Sequence, residues 1–311
     1  MRHDVEFAGA HAVPLRGWLY LPERARRPVP GVVMTHGFSC TRGMGLEGFA
    51  RAFAAAGLGV LLYDHRNFGD SGGEPRGRIN LFAQARDYRY ALDRLADHAR
   101  IDAGRLAVWG SSLSAAAALT VAAVDDRVKA VVANVPFAAH RDVDYADHAL
   151  AGARFAEMRR ALDRDTQGRP RPDTAADIDA PLAGPRPVVA LDGPDDEAFM
   201  PAAEATAWFK QYADRPETGW TNRYTWCPAG MDRLFDPGAA LPHLGDTPVL
   251  MTVALDDRII AKDVTLAAYQ RLRGPKPLEL LDGDHFSTYD NAPAFTRTCT
   301  AMCDFLTETL R

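Results

Sequence analysis

The chain has 311 residues, of which 47% are hydrophobic and 25% charged, with a formal net charge of -5. These values suit one large α/β domain with an insertion or two small domains, and they give no basic footprint for nucleic acid. No apolar run approaches the ~18 residues of a membrane-spanning helix. Met1 to Glu6 is polar, with no basic segment leading into an apolar one, so no signal peptide is expected and the cytoplasm is the expected compartment.

The first 136 residues alternate strand-like and helix-like segments, which predicts a largely parallel sheet. Leu15 to Leu21 reads as an early strand, and Gly31 to Thr35 as a central strand buried on both faces. A helix over Leu46 to Ala56 stops at Gly57. Then come a strand (Leu58 to Tyr63), a helix (Leu81 to Ala99) with Tyr88, Ala91, Leu92 and Leu95 on one face, and a strand (Arg105 to Trp109). An Ala-rich helix (Leu113 to Val124) and a buried strand (Val128 to Val135) complete this half.

From Phe137 to Gly245 the alternation disappears. Pro and Asp gather at Arg169 to Asp173 and Gly193 to Asp196, and aromatics collect late, at Trp208, Tyr212, Trp220, Tyr224 and Trp226. The rhythm returns with a strand (Pro248 to Ala254), a helix (Lys262 to Arg271), a strand (Leu278 to Leu281) and a last helix (Ala294 to Leu310). The organisation read from this is an α/β core, 1–136 and 246–311, interrupted by a mainly helical insert, 137–245. An insert of that size usually has a function such as a cap, and its five late aromatics are expected as a set to line an apolar acyl pocket, with anchoring of the cap on the core the alternative for any single one.

Candidate chemistry sits at the ends of the predicted strands. Ser112 lies in Gly110-Ser111-Ser112-Leu113-Ser114, between a strand and a helix, where a sharp turn needs small neighbours and lifts the hydroxyl to the positive end of the helix. His36-Gly37-Phe38 follows the strand that ends at Thr35. The backbone N–H groups of Phe38 and Leu113 are expected to form an oxyanion hole, with His36 in support. Asp257 follows the Val249 to Ala254 strand and is preferred to Asp256 as an orienting acid. His285, in Asp282-Gly283-Asp284-His285-Phe286, follows the last strand. Serine is a poor nucleophile until a neutral imidazole takes its proton, and an acid fixes that imidazole's tautomer. The turn from Tyr63 to Gly73 reads as structural, packing below the oxyanion loop. Cys40, Cys227, Cys299 and Cys303 form no metal-ligating spacing and read as reduced thiols; no metal or organic cofactor is expected.

His36-Gly37, the Asp64 to Gly72 turn, Gly110-Ser111-Ser112, Asp257 and Gly283-Asp284-His285 resemble the α/β-hydrolase superfamily across nearly the whole chain. Gly17-Trp18-Leu19-Tyr20, Trp220-Thr221-Asn222, Pro275-Lys276-Pro277-Leu278 and His285-Phe286-Ser287-Thr288-Tyr289 are similar to one branch. That branch holds peptidase S15, acetyl-xylan esterases, dienelactone hydrolases and polyketide acyltransferases. The resemblance implies an α/β-hydrolase fold, a mostly parallel sheet flanked by helices with a helical cap. It also implies a serine hydrolase that cleaves a small-molecule ester or thioester through an acyl-Ser112 intermediate. Acyl transfer, amide or peptide cleavage, and a non-catalytic binding module remain the alternatives, and a homodimer is left open. One departure is noted: Ser114-Ala115 replaces the Gly-Gly common after the nucleophile, which is expected to narrow the elbow.

Overall fold

The computed structural model describes residues 1–23, 27–163, 185–191, 197–226 and 234–311. The sequence features at Arg169 to Asp173, Gly193 to Asp196 and Cys227 lie outside these residues.

Eight strands form one sheet. They are β1 (Arg2–Ala8), β2 (Pro14–Tyr20), β3 (Val29–Thr35), β4 (Gly59–Tyr63), β6 (Ile101–Ser111), β7 (Val128–Asn134), β9 (Val249–Ala254) and β10 (Leu278–Leu281). Their spatial order is β1-β2-β4-β3-β6-β7-β9-β10. The pairings from β4 onward are parallel, and β1 and β2 form an antiparallel edge. Two short strands, β5 (Arg78–Ile79) and β8 (Thr225–Trp226), pair separately.

The central strands are apolar on both faces because helices cover both. β4 (GVLLY) and β9 (VLMTVA) are buried at every position. Each face of the sheet supports its own hydrophobic cluster. Helices α1 (Glu47–Ala55), α2 (Leu81–Ala96) and α3 (Leu113–Ala122) follow β3, the short strand Arg78–Ile79 and β6 in chain order, and Asn80 starts α2 by accepting the Ala83 N–H at 3.1 Å. α3 is buried from Ser114 to Ala122, and its alanines let it sit close against both sheet and α2.

The edge strand β1 is absent from the sequence expectation. Its residues alternate poorly and are mostly exposed, so no apolar pattern marks them, yet they pair in register from Arg2–Tyr20 to Ala8–Pro14. Between β7 and β9 the chain leaves the main sheet. The described residues there hold α4 (His148–Asp163), α5 (Ala203–Ala213), β8 and the short α6 (Pro237–Ala240). Buried Asp236 fastens this region: it accepts Tyr145 Oη at 2.6 Å and pairs with Arg154 Nε at 2.6 Å. Helices α7 (Lys262–Gln270) and α8 (Phe295–Thr309) complete the chain, with the free thiols Cys299 and Cys303 on α8. No helix among the described residues is long and apolar enough to cross a membrane.

Candidate active site

β6 ends at Ser111 and α3 begins at Leu113, so Ser112 alone makes the turn, with φ 55° and ψ -118°. A non-glycine residue in this region costs about 1–3 kcal/mol and persists only where its surroundings hold it. Here the Ser112 N–H donates to Asn134 O at 2.9 Å, and Ser112 O accepts from Phe137 N at 3.0 Å. Gly110 is required: a Cβ there would lie 2.5 Å from Ser114 O. Ser114, however, does more than fit. Its Oγ accepts the Ser111 N–H at 2.8 Å and lies 3.0 Å from both Thr35 O and Ser111 O. The serine that replaces the common glycine therefore braces the turn with its side chain.

The loop after β3 packs directly on this turn. A Cβ on Gly37 would come within 3.0 Å of Ser112 Cβ and 3.2 Å of Ser111 O. Only a glycine lets the loop approach so closely, which brings Phe38 and Leu113 to one cavity with Ser112. Leu113 opens α3, where backbone N–H groups have no partner within the helix. His36 lies beneath, buried. Its Nε2 accepts the His65 N–H at 3.0 Å and its Nδ1 faces Gly37 O at 3.0 Å, the pattern of a neutral ring, and burial pushes its pKa down to about 4. The His65 turn thus supports the loop from below. Cys40 also borders the cavity; burial pushes its thiol pKa well up, which leaves it protonated and a poor nucleophile.

Asp257 and His285 meet. Asp257 Oδ2 lies 2.7 Å from His285 Nδ1, and both side chains are buried. The other carboxylate oxygen accepts the N–H groups of Ile259 and Ile260, each at 2.8 Å, so the carboxylate cannot rotate freely. Asp256 is exposed and makes its contact through its backbone N–H, to Gly283 O at 3.0 Å. The histidine loop is fixed locally. Asp284 Oδ1 accepts Phe286 N and Ser287 Oγ, each at 2.9 Å, while Gly283 at φ 112° leaves room for the Ser287 hydroxyl.

A buried polar network underlies these loops, and sequence reading missed it. Asn134, at the end of β7, donates from Nδ2 to Ser111 Oγ at 3.0 Å. Its Oδ1 accepts Thr252 Oγ1 at 2.8 Å and Thr288 Oγ1 at 3.0 Å. Ser111 Oγ is also 2.7 Å from Tyr289 Oη. One amide therefore ties the ends of three strands to the loop that carries His285.

Ser112 and His285 open onto a cavity of about 550 Å³. Its walls are mostly apolar and include Phe38, Phe199, Phe209, Tyr224, Trp226 and Phe286. Of the five aromatics expected to line a pocket, Tyr224 and Trp226 stand on this wall. Trp208, Tyr212 and Trp220 do not line it, and the expectation for them is corrected. They are buried one layer behind: Trp208 stacks on Phe286 at 4.9 Å, Tyr212 packs on Trp208, and Trp220 stacks on Phe209 at 5.3 Å. Helix α5 turns Trp208 and Tyr212 toward the core, and all three rings back the wall residues. Phe199 and Phe209 were not anticipated.

The chain is similar to known proteins along its length. It is 29% identical to the thiohydrolase aneE of Aspergillus aculeatus, over 99% of this chain and 93% of that one. It is 30% identical to the polyketide transferase af380 of Aspergillus fumigatus, over 91% and 89%. Among solved structures it is similar to the alpha/beta hydrolase GrgF from Penicillium sp. sh18, with a TM-score of 0.73 and 22% identity over 100% of this chain and 99% of that chain. The model of the alpha/beta hydrolase fold matches residues 30–292, and the chain belongs to that family.

Proposed function

We propose that this hydrolase cleaves an ester or thioester through an acyl-Ser112 intermediate, with His285 as general base and Asp257 as its orienting acid. The observation that carries the reading is the constrained turn at Ser112, which shares a cavity with a histidine whose Nδ1 is held by a buried, doubly bonded carboxylate. In the first step Ser112 Oγ bonds to the substrate carbonyl carbon while its proton passes to His285 Nε2. The oxyanion is taken by the N–H groups of Phe38 and Leu113, which are worth a few kcal/mol in such a role. The intermediate then collapses, and the leaving thiol or alcohol departs with the proton from His285. Water repeats the sequence on the acyl-enzyme, delivering its proton to His285 and releasing acid and free serine.

Residues 137–245 act in this reading as a cap that shapes the acyl site, since Phe199, Tyr224 and Trp226 all come from that span. The relative named a thiohydrolase favours a thioester substrate. A second reading, acyl transfer to an alcohol or amine, is favoured by the relative named a polyketide transferase. Fluorophosphonate labelling followed by peptide mass spectrometry tests the nucleophile: the adduct is expected on Ser112 and absent from Ser112→Ala. An adduct on Ser111 or Ser114 sinks the assignment. Partition of the acyl-enzyme between water and added alcohols or amines separates the two reactions.

A further inference from the structure

The outer wall of the cavity is a built surface. Phe38 and Phe199 stack at 4.2 Å with an interplanar angle of 10°. Trp226 lies nearly parallel to both, at 24° to Phe38 and 20° to Phe199. Phe199 remains 47% exposed, which leaves part of its ring open. Arg186 borders the same cavity, and Tyr224, whose hydroxyl meets the Arg186 side chain, stands beside these rings.

The backbone holds this wall in place. Arg186 and Tyr224 form an isolated antiparallel bridge, with both N–H···O distances 2.9 Å. Asn222 grips the segment after Arg186: its Oδ1 accepts the N–H groups of Val188 and Val189 at 3.0 Å, and its Nδ2 donates to Val189 O at 2.8 Å. Phe199 and Met200 donate in turn to the carbonyls of Pro187 and Val188. β8 joins the wall to β5 of the core. Asn222, in the Trp220-Thr221-Asn222 motif, thus positions Arg186 and Phe199 together.

The cavity's charge is one-sided. Among the described residues its lining includes Arg186, whose side chain meets the Tyr224 hydroxyl, and no Asp or Glu. A guanidinium set beside flat aromatic faces suits a planar ligand that ends in an anion, because the rings take its π-face and the planar fork takes its oxygens.

Resting on the acyl-Ser112 reading, we propose that the preferred acyl group is a flat aromatic or conjugated ring bearing an anionic oxygen substituent. The ring lies against Phe199 and Trp226, and the anion on Arg186. The anion is a ring carboxylate or an ionised acidic hydroxyl; both present the same chemistry to a guanidinium.

The test compares kcat/KM for four N-acetylcysteamine thioesters: octanoyl, benzoyl, 3-carboxybenzoyl and 4-hydroxy-3-nitrobenzoyl, whose phenol ionises near neutral pH. In the wild-type protein benzoyl is expected to exceed octanoyl, and at least one anionic arm to exceed benzoyl tenfold or more. Which anionic arm does so identifies the substituent. Arg186→Gln should collapse the anionic-to-benzoyl ratio to near one, and Arg186→Lys should restore part of it. The ratio is unaffected by any general loss of active protein. If wild-type ratios stay near one, or Arg186→Gln leaves a high ratio intact, the proposal is overturned. Fluorophosphonate labelling of each variant keeps the two readings apart. Labelled Ser112 with no anion preference refutes only the substrate class, whereas absence of labelling in the wild type refutes the acyl-Ser112 reading beneath it.

Discussion

His36 should make this protein progressively weaker in mild acid. Its ring is buried and uses both nitrogens as a neutral imidazole, accepting from the His65 N–H and facing Gly37 O. A second proton would remove the acceptor that the His65 N–H needs. Burial lowers its pKa from 6.5 to about 4. As pH falls below 6.5 the unfolded chain takes the proton first, so folding loses stability down to the folded value and no further. The gap amounts to about 3 kcal/mol in full, and about 2 kcal/mol is already lost at pH 5. His65, whose ring nitrogens have no hydrogen-bond partner among the described residues and whose pKa is also lowered by burial, acts in the same direction. Urea unfolding at pH 8, 6.5, 5.5 and 5 would measure the loss in the wild type and in His36→Gln, whose amide can accept from His65 and donate to Gly37 without titrating. The variant's curve should be flatter by about 2 kcal/mol between pH 8 and 5. Parallel curves would show that His36 is not held neutral by its burial, and the argument for a fixed, uncharged support under the loop after β3 would fail with it.

Asp257→Asn should reduce kcat by about 10⁴, as loss of an orienting carboxylate does in a catalytic triad, while exposed Asp256→Asn should change it by less than about threefold; steady-state assays with a benzoyl thioester compare them, and the reverse ranking would shift the acid by one residue. Gly37→Ala places a methyl against Ser112, so kcat should drop about tenfold or more with little change in melting temperature, because small displacements of reacting groups are costly. Trp208→Ala and Trp226→Ala should separate support from contact. The first removes a buried ring behind the wall and should cost about 3–5 kcal/mol in denaturant unfolding. The second should alter acyl preference with a smaller loss of stability, and equal effects on both readouts would merge the two layers.

Much of the site was legible because its residues follow strands. Thr35, Ser111, Ala254 and Leu281 end β3, β6, β9 and β10, and the loops bearing His36, Ser112, Asp257 and His285 begin within a few residues of them. Parallel packing of fully apolar strands makes such ends easy to find. β1 was not legible, since an exposed edge strand has no buried face to impose a pattern. The aromatics of the insert were legible as a group but not individually. Trp208 and Tyr212 share one helix turn and face the core together, whereas Phe199 and Arg186 sit in irregular chain with no period to read. Asn134 did carry a signal: an amide closing a strand that is apolar from Ala130 to Ala133 must find partners once buried, and it finds three.

That amide explains how a strained serine and a distant histidine stay in register. Ser112 gains its conformation from backbone bonds to Asn134 and Phe137, at the start of the excursion from the sheet. His285 sits in a loop whose Thr288 and Tyr289 reach back to the Asn134 and Ser111 side chains. The backbone of residue 134 therefore holds the Ser112 turn while its side chain reaches the loop that bears His285. Val135, at φ 38°, carries the strain of serving both, and its N–H is met by Thr252 Oγ1 at 2.9 Å, the same hydroxyl that donates to Asn134. Burial makes each of these bonds expensive to leave unmade, at about 1–3 kcal/mol apiece, so the network resists small rearrangements more firmly than apolar packing alone would. The outer wall of the cavity is held differently, by the Asn222 clasp and the Arg186–Tyr224 bridge. In the proposed acyl-Ser112 reading, chemistry and selectivity thus rest on separate scaffolds, and substitutions in the wall should change which acyl group is taken while Ser112 and His285 keep their positions.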